Sequence, residues 1–242
     1  MKLANRAAAF KAALCSSAAI GLLAAAPAFA DSQVLAGDYI TIGLNEKGTL
    51  GYNGGVSPGI LYDGTGTGTF NTSYDYLTPG SPFEGFVVAG TGGGSAFSIG
   101  NNNAFTATIT GGTLTNYNGA EYNGTTYDRR AVWTATVADL FTITNDYYFN
   151  VTDQQVNITT SITALSDLTG LSFSRELDPD AVAAAGDSSA TNNYLGNGAI
   201  PATDLVYAEA LVSKYVIGLY TDTTYEPVSY THLRAHETEA DL

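Results

Sequence analysis

Cysteine is almost missing from this chain. The single one, Cys15, lies in the first thirty residues. Histidine occurs twice, at His232 and His236, both close to the C-terminus. Between residues 31 and 227 there is neither, which excludes disulfides and thiolate chemistry there, along with most zinc, copper and haem sites. It also excludes imidazole general bases and Ser-His-Asp triads. Basic residues are equally scarce. Five Lys and Arg face twenty Asp and Glu over the same stretch. A balance that acidic disfavours nucleic acid and anionic membrane surfaces as partners, since both require basic patches. It suits solubility and divalent cations.

The N-terminus follows the order of a secretory leader. Lys2, Arg6 and Lys11 make it positive, Ala18 to Ala26 is apolar, and Ala28-Phe29-Ala30 is a small-x-small triplet. The apolar part is shorter than the roughly 20 residues that span a bilayer core. The expectation is residues 1–30 as a signal peptide cut after Ala30, no membrane span in the mature segment, and a secreted or cell-surface bacterial protein. Such a protein must hold its fold without disulfides.

At the other end, Val228 to Thr238 reads V-S-Y-T-H-L-R-A-H-E-T. A transposase-type library adapter translates, in one frame, to those same residues. Residues 228–242 are therefore expected to be a non-native tail, and the native C-terminus to be truncated. The i, i+4 spacing of His232 and His236 would otherwise suggest a metal pair on one helix face. On the adapter reading that pair is set aside.

What the chain has in abundance is Thr, Val, Ile, Tyr and Phe, separated by Gly and Asn clusters. That is the composition of pleated strands and their turns. Strands are expected over 38–44, 83–89, 130–138, 140–144, 147–151, 155–165 and 171–177. Residues 205–220 are read as two strands broken near Ser213 and Lys214. Residues 104–117 are read as a hairpin turning at Gly111-Gly112. With no long amphipathic helix, the expected fold is all-β: an antiparallel β-sandwich, as large as a supersandwich-like domain, over residues 31–227. Two long loops are expected, 54–82 and 179–203. The first carries the Gly-Thr repeat from Gly64 to Thr69, and loops of that length are either functional or disordered.

Two segments together carry a resemblance: Thr78-Pro79-Gly80-Ser81-Pro82-Phe83-Glu84-Gly85-Phe86, and Asn157-Ile158-Thr159 through Arg175-Glu176-Leu177-Asp178-Pro179-Asp180. In this order they resemble secreted bacterial β-rich proteins of unknown function, many of which end in a PEP-CTERM sorting signal. The resemblance implies a β fold and a surface-sorting helix in the native C-terminus. It carries over no catalytic residue.

Three candidate sites remain. Asp178, Asp180 and Asp187, with Asn192 and Asn193 nearby, offer the hard oxygen ligands that calcium takes, although the spacing is not that of an EF-hand. The competing reading is a strand ending in a turn. Glu84 with Glu176 or Asp178 could form a glycosidase-like carboxylate pair if the fold brought them to roughly 5–10 Å. The competing reading is an ion pair with Arg175, Arg129 or Arg130. Tyr122, Tyr127, Tyr147, Tyr148 and Trp133 could make a sugar-stacking face, or could be core and cross-strand pairs. The sequons at Asn71, Asn123, Asn150 and Asn157 are those a Thr-rich chain produces by chance. The composition points to a structural, adhesive or surface-associated domain with no catalytic residues and no required cofactor. The second reading is a carbohydrate-binding or carbohydrate-active sandwich. Expected partners are extracellular polysaccharide or cell-surface components.

Overall fold

The computed structural model describes residues 29–30, 32–53, 56–77, 83–103 and 107–221. The expected leader up to residue 28, the adapter-like tail and both histidines lie outside the described residues. In chain order the strands are β1 (Phe29–Ala30), β2 (Ser32–Ala36), β3 (Ile40–Asn45), β4 (Ile60–Tyr62), β5 (Phe83–Gly92), β6 (Ser95–Asn102), β7 (Thr113–Asn116) and β8 (Glu121–Tyr122). They continue with β9 (Thr125–Thr126), β10 (Arg129–Val137), β11 (Phe141–Phe149), β12 (Asn157–Ala164), β13 (Leu168–Asp178), β14 (Thr191–Leu195), β15 (Leu205–Ala210) and β16 (Val216–Tyr220). The only helical turns among the described residues are two short 3-10 segments, Thr72–Tyr74 and Ala183–Ala185. No helix there is long and apolar enough to cross a membrane.

The largest sheet runs β1-β7-β10-β11-β12, antiparallel throughout. Alternation along its two central strands decides which side is buried. Ala131, Trp133 and Ala135 of β10 point inward, and face Tyr147, Asn145 and Ile143 of β11 in register. Small residues thus stand opposite large ones, which lets the layer fill space without voids. The outer side carries a hydroxyl row. Thr134 pairs with Thr144 and Thr136 with Thr142, each at 3.2 Å between hydroxyls.

A second sheet, β13-β5-β6, packs across the first. Phe86 of β5 meets Trp133 edge-on at 5.6 Å, and Phe97 of β6 meets Phe141 at 5.9 Å. A third sheet, β2-β3-β4, closes the same core with Leu35, Ile42 and Leu44. The all-β sandwich expected from the sequence is thereby shown. A fourth sheet, β14-β15-β16, covers a smaller apolar cluster of Tyr76, Ala181, Val182 and Ala210.

Some expected elements differ. The hairpin expected over 104–117 does not form among its described residues, 107–117: β7 pairs with β10 and β1 instead. The side chain of Asn101 supplies what a ladder would. Its Oδ1 accepts from Ile109 N and its Nδ2 donates to Ile109 O, both at 2.9 Å. Gly112 is needed not for a turn but because the Trp133 indole lies where its Cβ would stand. The expected strands 140–144 and 147–151 are one strand, β11. The two long loops contain β4, β14 and both 3-10 turns. The break near Ser213 and Lys214 is present, with Lys214 in the left-handed region at φ 63°.

Gly48 shows how tightly the turn after β3 is held. It sits at φ +74°, and a Cβ there would overlap the Trp133 ring. Gly111, at φ +71°, faces open space. Left-handed backbone costs an L-residue about 1–2 kcal/mol, and overpacking a core adds about 1–3 kcal/mol. Gly48→Ala should therefore lower the urea midpoint well beyond Gly111→Ala. Equal losses would contradict the packing described here.

Candidate functional site

Glu84 lies in β5 and Arg175 in β13, each on the inward side of its strand, opposite Leu177 and Phe86 respectively. Their side chains are 1% and 11% exposed. Arg175 Nη2 stands 2.6 Å from Glu84 Oε1, an ion pair off the direct hydrogen-bonding line. The other carboxylate oxygen, Oε2, accepts from Leu50 N at 2.6 Å. Arg175 Nη2 also donates to Tyr147 Oη at 2.6 Å, and Tyr147 Oη donates to Gly48 O at 2.7 Å. The guanidinium lies 5.2 Å from the centroid of the Tyr147 ring. Burial pushes the Glu84 carboxyl up, while the Arg175 charge and the Leu50 amide pull it back only in part. Burial also opposes the Arg175 charge, but Glu84 and Tyr147 more than offset it and raise that group.

This geometry is the ion pair anticipated as the competitor to catalysis. Strand alternation puts Glu176 and Asp178 on the face of β13 opposite to Arg175 and Leu177, hence opposite to Glu84. A carboxylate pair made of Glu84 with either of them does not form. Glu176 is exposed and accepts from Ser174 Oγ at 3.3 Å.

The sequence-marked aromatics separate into two groups. Trp133 and Tyr147 are fully buried. The indole Nε1 donates to Glu46 O at 2.8 Å, so this ring belongs to the core. Tyr148 lies on the outer face, its ring 4.9 Å from that of Tyr122 and 4.6 Å from that of Tyr127. Arg130 rests on the rings of Tyr117 and Tyr122 and binds Asp146 through Nε and Nη2, at 2.6 Å for the shortest contact. The cluster is packed on itself. Arg129 makes no acid pair there and donates to Ala36 O at 2.5 Å.

The three acids read as calcium ligands are employed differently from one another. Asp187 accepts from Ser188 N at 2.7 Å, Val212 N at 3.2 Å and Ser213 N at 2.7 Å, tying down the turn between β15 and β16. Hydrogen bonds from Ser213 above all hold its carboxyl down to about 2. Asp180 is raised by burial and by neighbouring Asp178. Asn192 and Asn193 pair in strand register with Glu209 and Ala208. Among the described residues no three His, Cys, Asp or Glu gather as a metal centre would require.

Where the loop after β4 meets the fourth sheet lies a groove, most of whose lining belongs to the long 54–82 loop marked in the sequence. The Gly-Thr repeat is ordered around one carboxylate. Asp63 accepts from Thr65 N at 2.9 Å and Thr65 Oγ1 at 2.6 Å, from Thr67 N at 3.0 Å and Thr67 Oγ1 at 2.9 Å, and from Thr69 N at 3.2 Å. Those bonds, from Thr65 first, hold the Asp63 carboxyl well below the usual range. Asn71 caps the next turn by accepting from Ser73 N at 3.0 Å. Buried Asp75 then gathers Ser57 Oγ, Gly59 N, Ile60 N and Leu77 N at 2.6–3.2 Å. The result presents Tyr62, Tyr74 and Tyr76 toward Tyr215 and Val182 around an open space of ≈ 310 Å³. The Tyr215 ring meets Tyr74 edge-on at 6.1 Å and Tyr76 at 6.0 Å. Burial, then Tyr215 and Tyr62, push the Tyr76 phenol up to about 12.

Two outcomes follow from these networks. Removing one partner of a buried ion pair costs about 3–5 kcal/mol, whereas replacing both by apolar side chains is often near neutral. Glu84→Gln should therefore destabilise strongly in urea, and the double change Glu84→Leu with Arg175→Met should recover most of the loss. A neutral Glu84→Gln would contradict the pair. For Asp187, a folded value held at about 2 against an ordinary 3.8 means its contribution is present above pH 3.8 and lost as pH falls toward 2. Asp187→Asn should flatten the fall in Tm across that window, and an unchanged slope would oppose the assignment. No family model, curated protein or solved structure matches the chain.

Proposed function

We propose that this chain is an exported bacterial domain with a structural or adhesive role at the cell surface, holding extracellular polysaccharide or cell-surface components without cutting them. The observation that carries this reading is the employment of its carboxylates. Glu84 is committed to Arg175 and Leu50 in the core, and Asp63, Asp75 and Asp187 are committed to loop amides. A hydrolase needs one carboxyl free to give a proton and another free to attack or to activate water. Here the best placed acids hold the fold together. A leader cut after Ala30, which would remove β1 and leave β7 at the edge of the first sheet, and a PEP-CTERM-like sorting route remain part of the proposal, as does the adapter origin of residues 228–242.

The second reading, carbohydrate binding, is favoured by one specific feature, the tyrosine groove beside β4. Calcium at Asp178 and Asp180 is kept only as a proposal in which Asp187 takes no part, because its oxygens already serve three amides.

The test is surface labelling of intact cells that produce the chain with its leader. An antibody against the β10–β11 region should stain them without permeabilisation, and deleting the gene should reduce attachment to a polysaccharide-coated surface. Staining only after permeabilisation, or unchanged attachment, would contradict the role.

A further inference from the structure

We propose that the groove walled by Tyr62, Tyr74, Tyr76 and Tyr215 is a binding site for an uncharged saccharide. The proposal deepens the adhesive reading above and rests on it only for where the sugar is met.

Three of the four rings are left substantially open within one concavity: Tyr62 is 39%, Tyr74 42% and Tyr215 41% exposed. A phenol offers an apolar face and a hydroxyl together, as a sugar offers an apolar C–H face and hydroxyls. Tyrosine therefore binds such ligands at low cost in side-chain entropy. The rings are also fixed before any ligand arrives. Tyr215 is held edge-on against Tyr74 and Tyr76, and Tyr62 Oη donates to Gln154 Oε1 at 3.0 Å. The floor is polar and rigid, because Asp63 binds the backbone from Thr65 to Thr69. Preorganisation of this kind reduces what binding must spend on ordering. The space of ≈ 310 Å³ is at the small end for ligand sites, enough for about one or two sugar rings.

The lining also selects against charge. Asp63, Gly64, Thr69 and Asn71 contribute its polar part, and none of the lining residues is Lys or Arg. An ionised carboxylate with no cation beside it repels uronates and sulfated sugars. It leaves Asn71 and the phenols to hydrogen-bond hydroxyls. A quaternary ammonium, the usual guest of an aromatic cage, needs rings spaced apart around it. Here Tyr74 and Tyr76 each touch Tyr215 directly, which leaves no gap between those faces. Asp63 does not act as a base, since its oxygens already receive five donors.

The experiment is a calorimetric titration of the exported chain with cellotetraose, maltotetraose and xylotetraose, with tetragalacturonate and choline chloride as contrasts. At least one neutral tetraose should bind with Kd below about 10 mM, and neither contrast should. Tyr74→Ala should weaken that binding about tenfold or more. Tyr220→Ala, an exposed tyrosine outside the groove, should leave it unchanged. Should Tyr74→Ala lower Tm, Tyr62→Phe serves instead: it keeps the ring, removes one hydroxyl, and should weaken the same tetraose several-fold. The proposal is overturned if no neutral tetraose binds, if groove variants bind as tightly as the unaltered chain, or if choline alone binds. Binding that persists while cells fail to stain would refute the surface location and leave the groove assignment standing.

Discussion

The ion pair of Glu84 with Arg175 is the point at which three of the sheets meet. Both strands that carry it, β5 and β13, belong to the second sheet. Tyr147, which receives the guanidinium, comes from β11 of the first. Leu50 and Gly48, which complete the chain of contacts, come from the turn that follows β3 of the third. A bare charge in such a place would cost several kcal/mol, on the order of the whole stability of a domain. The arrangement persists because the two charges of the second sheet find each other, and their neutral partners, Tyr147 and the Leu50 amide, come from the other two sheets. Its consequence is register. If β13 slipped by one residue against β5, Arg175 would turn outward and Glu84 would be stranded in the core.

The same economy of charge explains how a chain free of cysteine between residues 31 and 227 orders long loops. Asp63, Asp75 and Asp187 each collect backbone amides from segments with little apolar content. An ionised carboxylate forms charge-assisted hydrogen bonds of about twice the ordinary strength. The Gly-Thr repeat illustrates the point. Its glycines at 66 and 68 take positive φ, and its threonines turn amide and hydroxyl toward Asp63. A stretch that looks like low complexity is a fitted wrapping around one acid. It is also what gives the tyrosine groove its rigid floor.

Strand alternation was legible wherever one face is apolar. The inward set of β12 and the residue before it, Val156, Ile158 and Ile162, follows directly from apolar residues on one face, whereas β10 turns Ala131, Trp133 and Ala135 inward. Legibility failed where side chains replace ladders or where strands carry little apolar character. β6 reads Ser-Ala-Phe-Ser-Ile-Gly-Asn-Asn, and its pairing with β5 depends on a Gly93-Gly94 turn within a glycine-rich stretch. The supposed hairpin at Gly111-Gly112 failed because Gly112 answers to Trp133, a neighbour distant in sequence. The ion pair was anticipated by residue type, yet which arginine Glu84 would choose depended on the register of β13. The length and Gly-Thr repeat of the 54–82 loop marked the region, but the groove itself was not legible. Its walls come from β4, a 3-10 turn and the segment before β16, and no local pattern links Tyr62, Tyr74 and Tyr215.

The central claim is that Glu84, Arg175 and Tyr147 act as one unit joining the sheets. A double-mutant cycle of Glu84→Gln with Tyr147→Phe, read by urea unfolding, tests it most directly. The two residues communicate through Arg175, so the account predicts a coupling of about 0.5–3 kcal/mol. Additive losses, with coupling indistinguishable from zero, would mean that the three side chains are merely neighbours and that the sheets are held by apolar packing alone.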